Sequence, residues 1–130
     1  MSGYATRGRV VLAAVLAVSV FGALPAAAAD AVHGKSVFSS QCGVCHSAAK
    51  DGSAIIGPPL FGVVGRRAGS VAGFAYSPAM KSAALTWTND TLHTFLTAPR
   101  KMVDGTKMTF MGVKNPDQLD DLVAYLDTLK

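Results

Sequence analysis

An all-α domain with long irregular loops is what this 130-residue sequence predicts, on three observations. Near the C-terminus, Leu119, Leu122, Val123 and Leu126 recur at i, i+3, i+4 and i+7, the mark of one buried helix face. From Ser47 to Gly73 neither helical nor strand periodicity occurs, while six glycines from Gly52 to Gly73 and the pair Pro58-Pro59 punctuate the chain. Ahead of that stretch, a short helical segment runs straight into Cys42-Gly43-Val44-Cys45-His46. No repeat and no credible strand is present.

Residues 1–29 read as a cleaved secretory signal peptide. Arg7 and Arg9 precede an apolar run from Val10 to Leu24, followed by Pro25 and the alanines Ala26 to Ala29. A basic start, an apolar stretch short of the ~20 residues of a membrane span and small exit residues suit export, with cleavage after Ala28 or Ala29. An uncleaved anchor is the alternative. Residues 30–130 are then enough for one domain with a modest core. The formal charge of +4 includes Arg7 and Arg9, which leaves about +2 on the mature domain. That is too weak for a nucleic-acid binder. Every acidic residue is Asp.

Within that domain, Asp30 can cap a first helix from about Ala31 to Gln41, in which Val32, Val37 and Phe38 are apolar and Gly34 permits close approach of another helix. His33, near the terminus, reads as a surface residue. Ser77-Pro78 marks the cap and first position of a short helix through about Ala84. Asn89 is the expected cap of the next, with Leu92, Phe95 and Leu96 on one face, ending before Pro99 because the residue before proline leaves the helical region. Arg100 to Val113 reads as a loop. Asn115-Pro116 starts the last helix, and Asp117 suits its first turn.

Two thiols three residues apart can form thioethers to the two vinyl groups of one haem, and the next residue brings an imidazole under the iron. Cys42, Cys45 and His46 therefore read as a c-type haem attachment site. A dithiol redox pair, or half a zinc site followed by histidine, fits the same five residues. The cysteines are the only two in the chain, and a two-residue gap closes almost no loop as a stabilising disulfide. The scattered apolar residues Ile55, Ile56, Leu60, Phe61, Val63 and Val64 argue for loops wrapped around an apolar object, which a haem would be. Met102, Met108 and Met111 are candidate distal ligands, and composition does not choose among them.

Resemblance does choose. Gly105-Thr106-Lys107-Met108, with Phe110 and Gly112, resembles the methionine loop of class I cytochromes c of the soluble mitochondrial type and their photosynthetic-bacterial relatives. Gly57-Pro58-Pro59-Leu60, Phe61 to Arg66, Gly73-Phe74-Ala75-Tyr76, Thr86-Trp87 and Asp121 to Leu126 resemble the family's other motifs, in its order and spacing. The resemblance implies a small fold in which N- and C-terminal helices pack together and two short helices and long loops wrap one covalent haem. It implies Met108 as distal ligand beside His46, Pro58 as carbonyl acceptor for the His46 ring, and Arg66, Tyr76 and Trp87 as partners or screens of the haem propionates. It also implies an electron carrier, not an enzyme, which the export signal would send to the periplasm. Its partners would be redox proteins: a cytochrome bc-type complex as donor and a terminal oxidase, reaction centre or dedicated dehydrogenase or reductase. Arg100, Lys101, Lys107 and Lys114, with Lys50 and Lys81, would rim the docking edge of a monomer.

Three positions depart from the family pattern. Phe95 stands where a tyrosine is usual, Met80 where an asparagine is usual, and Asp104 where a proline often precedes the methionine loop. Met80 and Met111 would be reserve ligands. Fewer polar groups near the haem keep one alternative in view, a peroxidase-like or gas-binding protein with a labile distal ligand.

Overall fold

Asp30 opens helix α1, Ala31–Gln41, by accepting from the backbone N–H groups of Val32 and His33 at 2.8 and 3.3 Å. The computed structural model describes residues 28–130 together with Met1 and Gly3, and the export signal of Arg7, Arg9 and Val10 to Leu24 lies outside them. α1 buries Gly34, Val37 and Phe38. Its partner is the last helix, α5, Pro116–Asp127, where Asn115 accepts from Gln118 N–H at 3.1 Å and Pro116 opens the first turn. Leu119, Leu122, Val123 and Leu126 are its buried face, as the periodicity predicts. The two terminal helices pack on each other, and Phe38 lies 5.5 Å, centroid to centroid, from Tyr125.

Between them lie three short helices. α2 is Pro78–Ser82, capped by the Ser77 hydroxyl, which accepts from Met80 N–H at 3.1 Å. It stops short of the expected Ala84, which takes the left-handed conformation with φ 53° and so cannot continue a right-handed helix. α3 is Asn89–Thr97 and buries Leu92, Phe95 and Leu96. Its cap is Thr88, not Asn89. Thr91 N–H donates to the Thr88 hydroxyl at 3.2 Å, and Thr88 N–H donates to the Thr91 hydroxyl at 2.7 Å, a reciprocal box that Asn89 cannot make one position later. Pro99–Met102, expected as loop, forms the single-turn helix α4, with Pro99 at the position where a missing N–H costs nothing.

Among the described residues no strand occurs, only an isolated antiparallel bridge between Arg67 and Thr86. The class is therefore all-α. Around that bridge Trp87 N–H donates to the Arg66 carbonyl at 2.9 Å and Gly65 N–H to that of Trp87 at 2.7 Å. These bonds hold the 60s loop against the segment leading into α3. The core joins Val37 and Phe38 of α1, Trp87, Phe95 of α3 and Leu122 and Leu126 of α5. No helix among the described residues is long and apolar enough to cross a membrane.

Candidate haem site

The end of α1 creates the first wall of the site. The N–H groups of Cys42 and Gly43 both donate to the Phe38 carbonyl at 2.8 Å, and those of Cys45 and His46 turn back onto the Cys42 carbonyl at 3.0 and 2.9 Å. Both thiols and the imidazole are thus set by one continuous hydrogen-bonded turn. Gly57 N–H donates to the Cys45 carbonyl at 2.8 Å, and Leu60 N–H to that of Ser47 at 2.8 Å, which fastens the Gly57–Leu60 loop alongside.

That loop carries the Pro58 carbonyl 2.8 Å from Nδ1 of His46. A carbonyl can only accept, so Nδ1 bears the proton and Nε2 keeps a lone pair for a metal. Burial lowers the His46 pKa, the Pro58 carbonyl opposes that, and the nearby Arg66 charge lowers it further. A neutral imidazole is the form that binds iron. Gly57 lies against the ring: a Cβ there would collide with Cε1 of His46.

Cys42, Cys45 and His46 line a cavity of about 610 Å³ together with Pro58, Arg66, Tyr76, Trp87 and Met108. All eight site residues expected from the sequence are brought to one place. Phe95 and Met80 line it too, both buried, with Phe95 4.9 Å from the Trp87 ring. The remaining candidate sulfurs separate cleanly. Met111 is 72% exposed, and neither it nor Met102 lines the cavity, so the reserve role expected of Met111 has no geometric basis. Ile55 and Ile56 also differ from expectation, being 60% and 70% exposed. Close contact with the His46 ring is made by Gly57 backbone, which leaves the isoleucines outside, with Ile56 only at the cavity edge.

Arg66 donates to the carbonyls of Pro59 and Phe61 at 2.8 and 3.2 Å, and its half-buried guanidinium has a lowered pKa chiefly through burial. The methionine loop is tied from both sides. Met108 N–H donates to the Thr106 hydroxyl at 3.3 Å, and Lys107 Nζ to the Ala75 carbonyl at 3.0 Å. Val113 N–H then returns to the Leu96 carbonyl at 2.9 Å. Of the six cations expected at the docking edge, Lys107 alone lines the cavity, while Lys50, Lys81, Arg100, Lys101 and Lys114 are exposed elsewhere on the surface. Sequence reasoning singled out neither Thr106 nor Ser77 as cavity residues, yet both are buried and line it. The signal available for Thr106 was its place two residues before Met108.

The cavity volume falls within the ~300–1,000 Å³ of ligand pockets. Burial and the neighbouring Cys45 push the Cys42 thiol up to about 11, so a thiolate is disfavoured there. A thioether carries no charge and meets no such cost. Among the described residues no group of three or more His, Cys, Asp or Glu side chains is arranged to hold a metal ion as a structural zinc would need. A free thiol pair, one protonated-Nδ1 imidazole and a thioether facing one apolar chamber fit a covalently held haem.

Fold and site together define a small helical protein that encloses a covalent haem. A family model for cytochrome c matches residues 31–130, and the chain belongs to the cytochrome c family. It is 48% identical over 101 residues to cytochrome c of Euglena viridis, covering 78% of this chain and 98% of that one. It is 45% identical over 112 residues to cytochrome c2 of Blastochloris viridis, covering 86% and 85%. The solved cytochrome cH from Methylobacterium extorquens superposes with a TM-score of 0.69 at 44% identity, covering 76% of this chain and 98% of that one. The cofactor is one covalently attached haem c, with Cys42 and Cys45 as the attachment pair, and the protein is a mono-haem electron-transfer protein.

Proposed function

We propose that the chain works as an exported, periplasmic single-electron carrier in which His46 and Met108 would both hold the haem iron. The observation that carries this is the sorting of sulfurs: of Met102, Met108 and Met111, only Met108 lines the chamber that His46 lines. Bound haem would supply a one-electron ferrous–ferric couple, and ligation by a thioether and an imidazole would raise its potential and suit electron transfer over oxygen chemistry. The chain's own residues do the rest. The Pro58 carbonyl holds the imidazole tautomer and orientation, and the buried Trp87, Phe95 and Leu122 would keep water from the haem. Arg66, Tyr76 and Trp87, which line the cavity, would hydrogen-bond or screen propionates otherwise stranded in a poorly polarisable pocket.

Partners of this carrier are a membrane donor of the cytochrome bc type and an acceptor such as a terminal oxidase, a reaction centre or a dedicated dehydrogenase or reductase. Lys107, which lines the cavity, would steer docking, with Arg100, Lys101 and Lys114 adding to the exposed positive charge. The test is the spectrum of the purified holoprotein. The thioether-to-iron charge-transfer band at neutral pH is expected in the ferric form. Its absence, with ready binding of small exogenous ligands, would favour a labile distal site and a peroxidase-like or gas-binding role. Electron-transfer rates with an acidic acceptor should fall as salt is raised; salt-independent rates would remove the steering role.

A further inference from the structure

The backbone nitrogen of Asp30 lies 2.5 Å from Oδ1 of Asp121, 91 positions away on α5. The other oxygen of the same carboxylate, Oδ2, lies 2.6 Å from Nδ1 of His33. Residues 28–30 are exposed and outside any helix. In the sequence, Ala27, Ala28 and Ala29 immediately precede Asp30, the small-x-small pattern an export peptidase accepts. The nitrogen that α5 holds is therefore the one that cleavage after Ala29 would free.

We infer that the exported chain is cut between Ala29 and Asp30, and that Asp121 is the receptor for the new N-terminal ammonium, a clasp that maturation tightens between α1 and α5. The inference rests on the export reading above. The step is a hydrolysis by a signal-type peptidase. Water attacks the Ala29 carbonyl, the bond to Asp30 nitrogen breaks, and hydroxyl stays on Ala29 while a hydrogen goes to the amine. The amine then takes a proton from solvent. In the precursor this nitrogen is an amide and offers Asp121 one neutral donor. In the mature chain it offers a charged one, and charge-assisted hydrogen bonds are about twice as strong as neutral ones. A cation at the positive end of α1 opposes the helix dipole. Asp121 and the Asp30 carboxylate, which caps the same turn, offset that charge, and His33 shares the Asp121 carboxylate.

Intact-mass measurement on haem-loaded protein exported from the full-length precursor reads the junction directly. A chain starting at Asp30 is expected. A start at Ala29 or any other new terminus overturns the clasp and leaves export standing, whereas a start at Met1 overturns the export reading as well. The clasp is then read on the Asp30 holoprotein by NMR titration of its α-amine. Its pKa is expected about one unit above the ordinary ~7.7–8.0, and that rise should vanish in Asp121→Asn. An amine titrating in or below the ordinary range overturns the inference. Selective acetylation of the α-amine restores a neutral donor. Asp121→Asn should then lower the denaturation midpoint by less than it does in the free-amine chain, and equal losses overturn the proposal.

Discussion

Gly34 and Asp121 meet backbone to backbone: a Cβ on Gly34 would overlap the Asp121 carbonyl and crowd Cβ of Tyr125, so only glycine fits where α1 meets α5. Gly34→Ala must push the terminal helices apart. The expected loss is about 1–3 kcal/mol, the usual cost of overpacking a close contact, read as a lowered guanidinium midpoint of the holoprotein. An unchanged midpoint would mean that the helices separate at no cost.

A second glycine acts on the site itself. Gly57→Ala places a methyl group against the His46 ring and displaces it from the Pro58 carbonyl. Loss of that bond makes the imidazole a weaker donor to iron, and ferric iron depends more on that donation than ferrous iron. The reduction potential of Gly57→Ala should therefore rise, as measured by redox titration. A fall, or no change, would show that the bond does not tune the ligand.

Three substitutions separate the methionines. Met108→Ala should abolish the thioether-to-iron band, while Met102→Ala and Met111→Ala should keep it at full intensity, because neither side chain lines the cavity. Met80 is the only other methionine there. If a band persists in Met108→Ala, it should disappear when Met80→Ala is added. Persistence in that double variant would refute the assignment.

The Asp121 carboxyl is held below its ordinary value of 3.8, first by the Asp30 N–H and next by His33. A carboxyl with a lowered folded pKa contributes stability above its unfolded value, and loses it as pH falls through the folded value. The stability difference between wild type and Asp121→Asn should thus be present at about pH 5 and shrink below about pH 4. Urea denaturation across that range measures it, and a difference that is the same at both ends would contradict the coupling.

Local chemistry made much of this legible beforehand. Asp30, Ser77 and Asn115 each satisfy orphan N–H groups at helix starts within three residues, so their caps need no tertiary information. Thr88-Asn89-Asp90 offers three adjacent cap-type residues, and the choice fell to Thr88 because Thr91 completes its box. α4 is a single turn, too short for any apolar period to register. Ala84 with positive φ had no local signal, since alanine ordinarily favours helix.

By itself the sequence determined the all-α class, the extent of α1 and the start of α5, and it marked Cys42, Cys45 and His46 as a c-type haem attachment pattern, because these depend on periods and spacings of a few residues. Its family motifs named Pro58, Arg66, Tyr76, Trp87 and Met108, but as positions along the chain. Only the tertiary structure decided that they share one chamber, that Met80 is buried there while Met111 faces solvent, and that Gly57 rather than Ile55 or Ile56 meets the imidazole. Burial is set by contacts between segments far apart in sequence, and a loop without periodicity carries no local record of which of its side chains those contacts enclose.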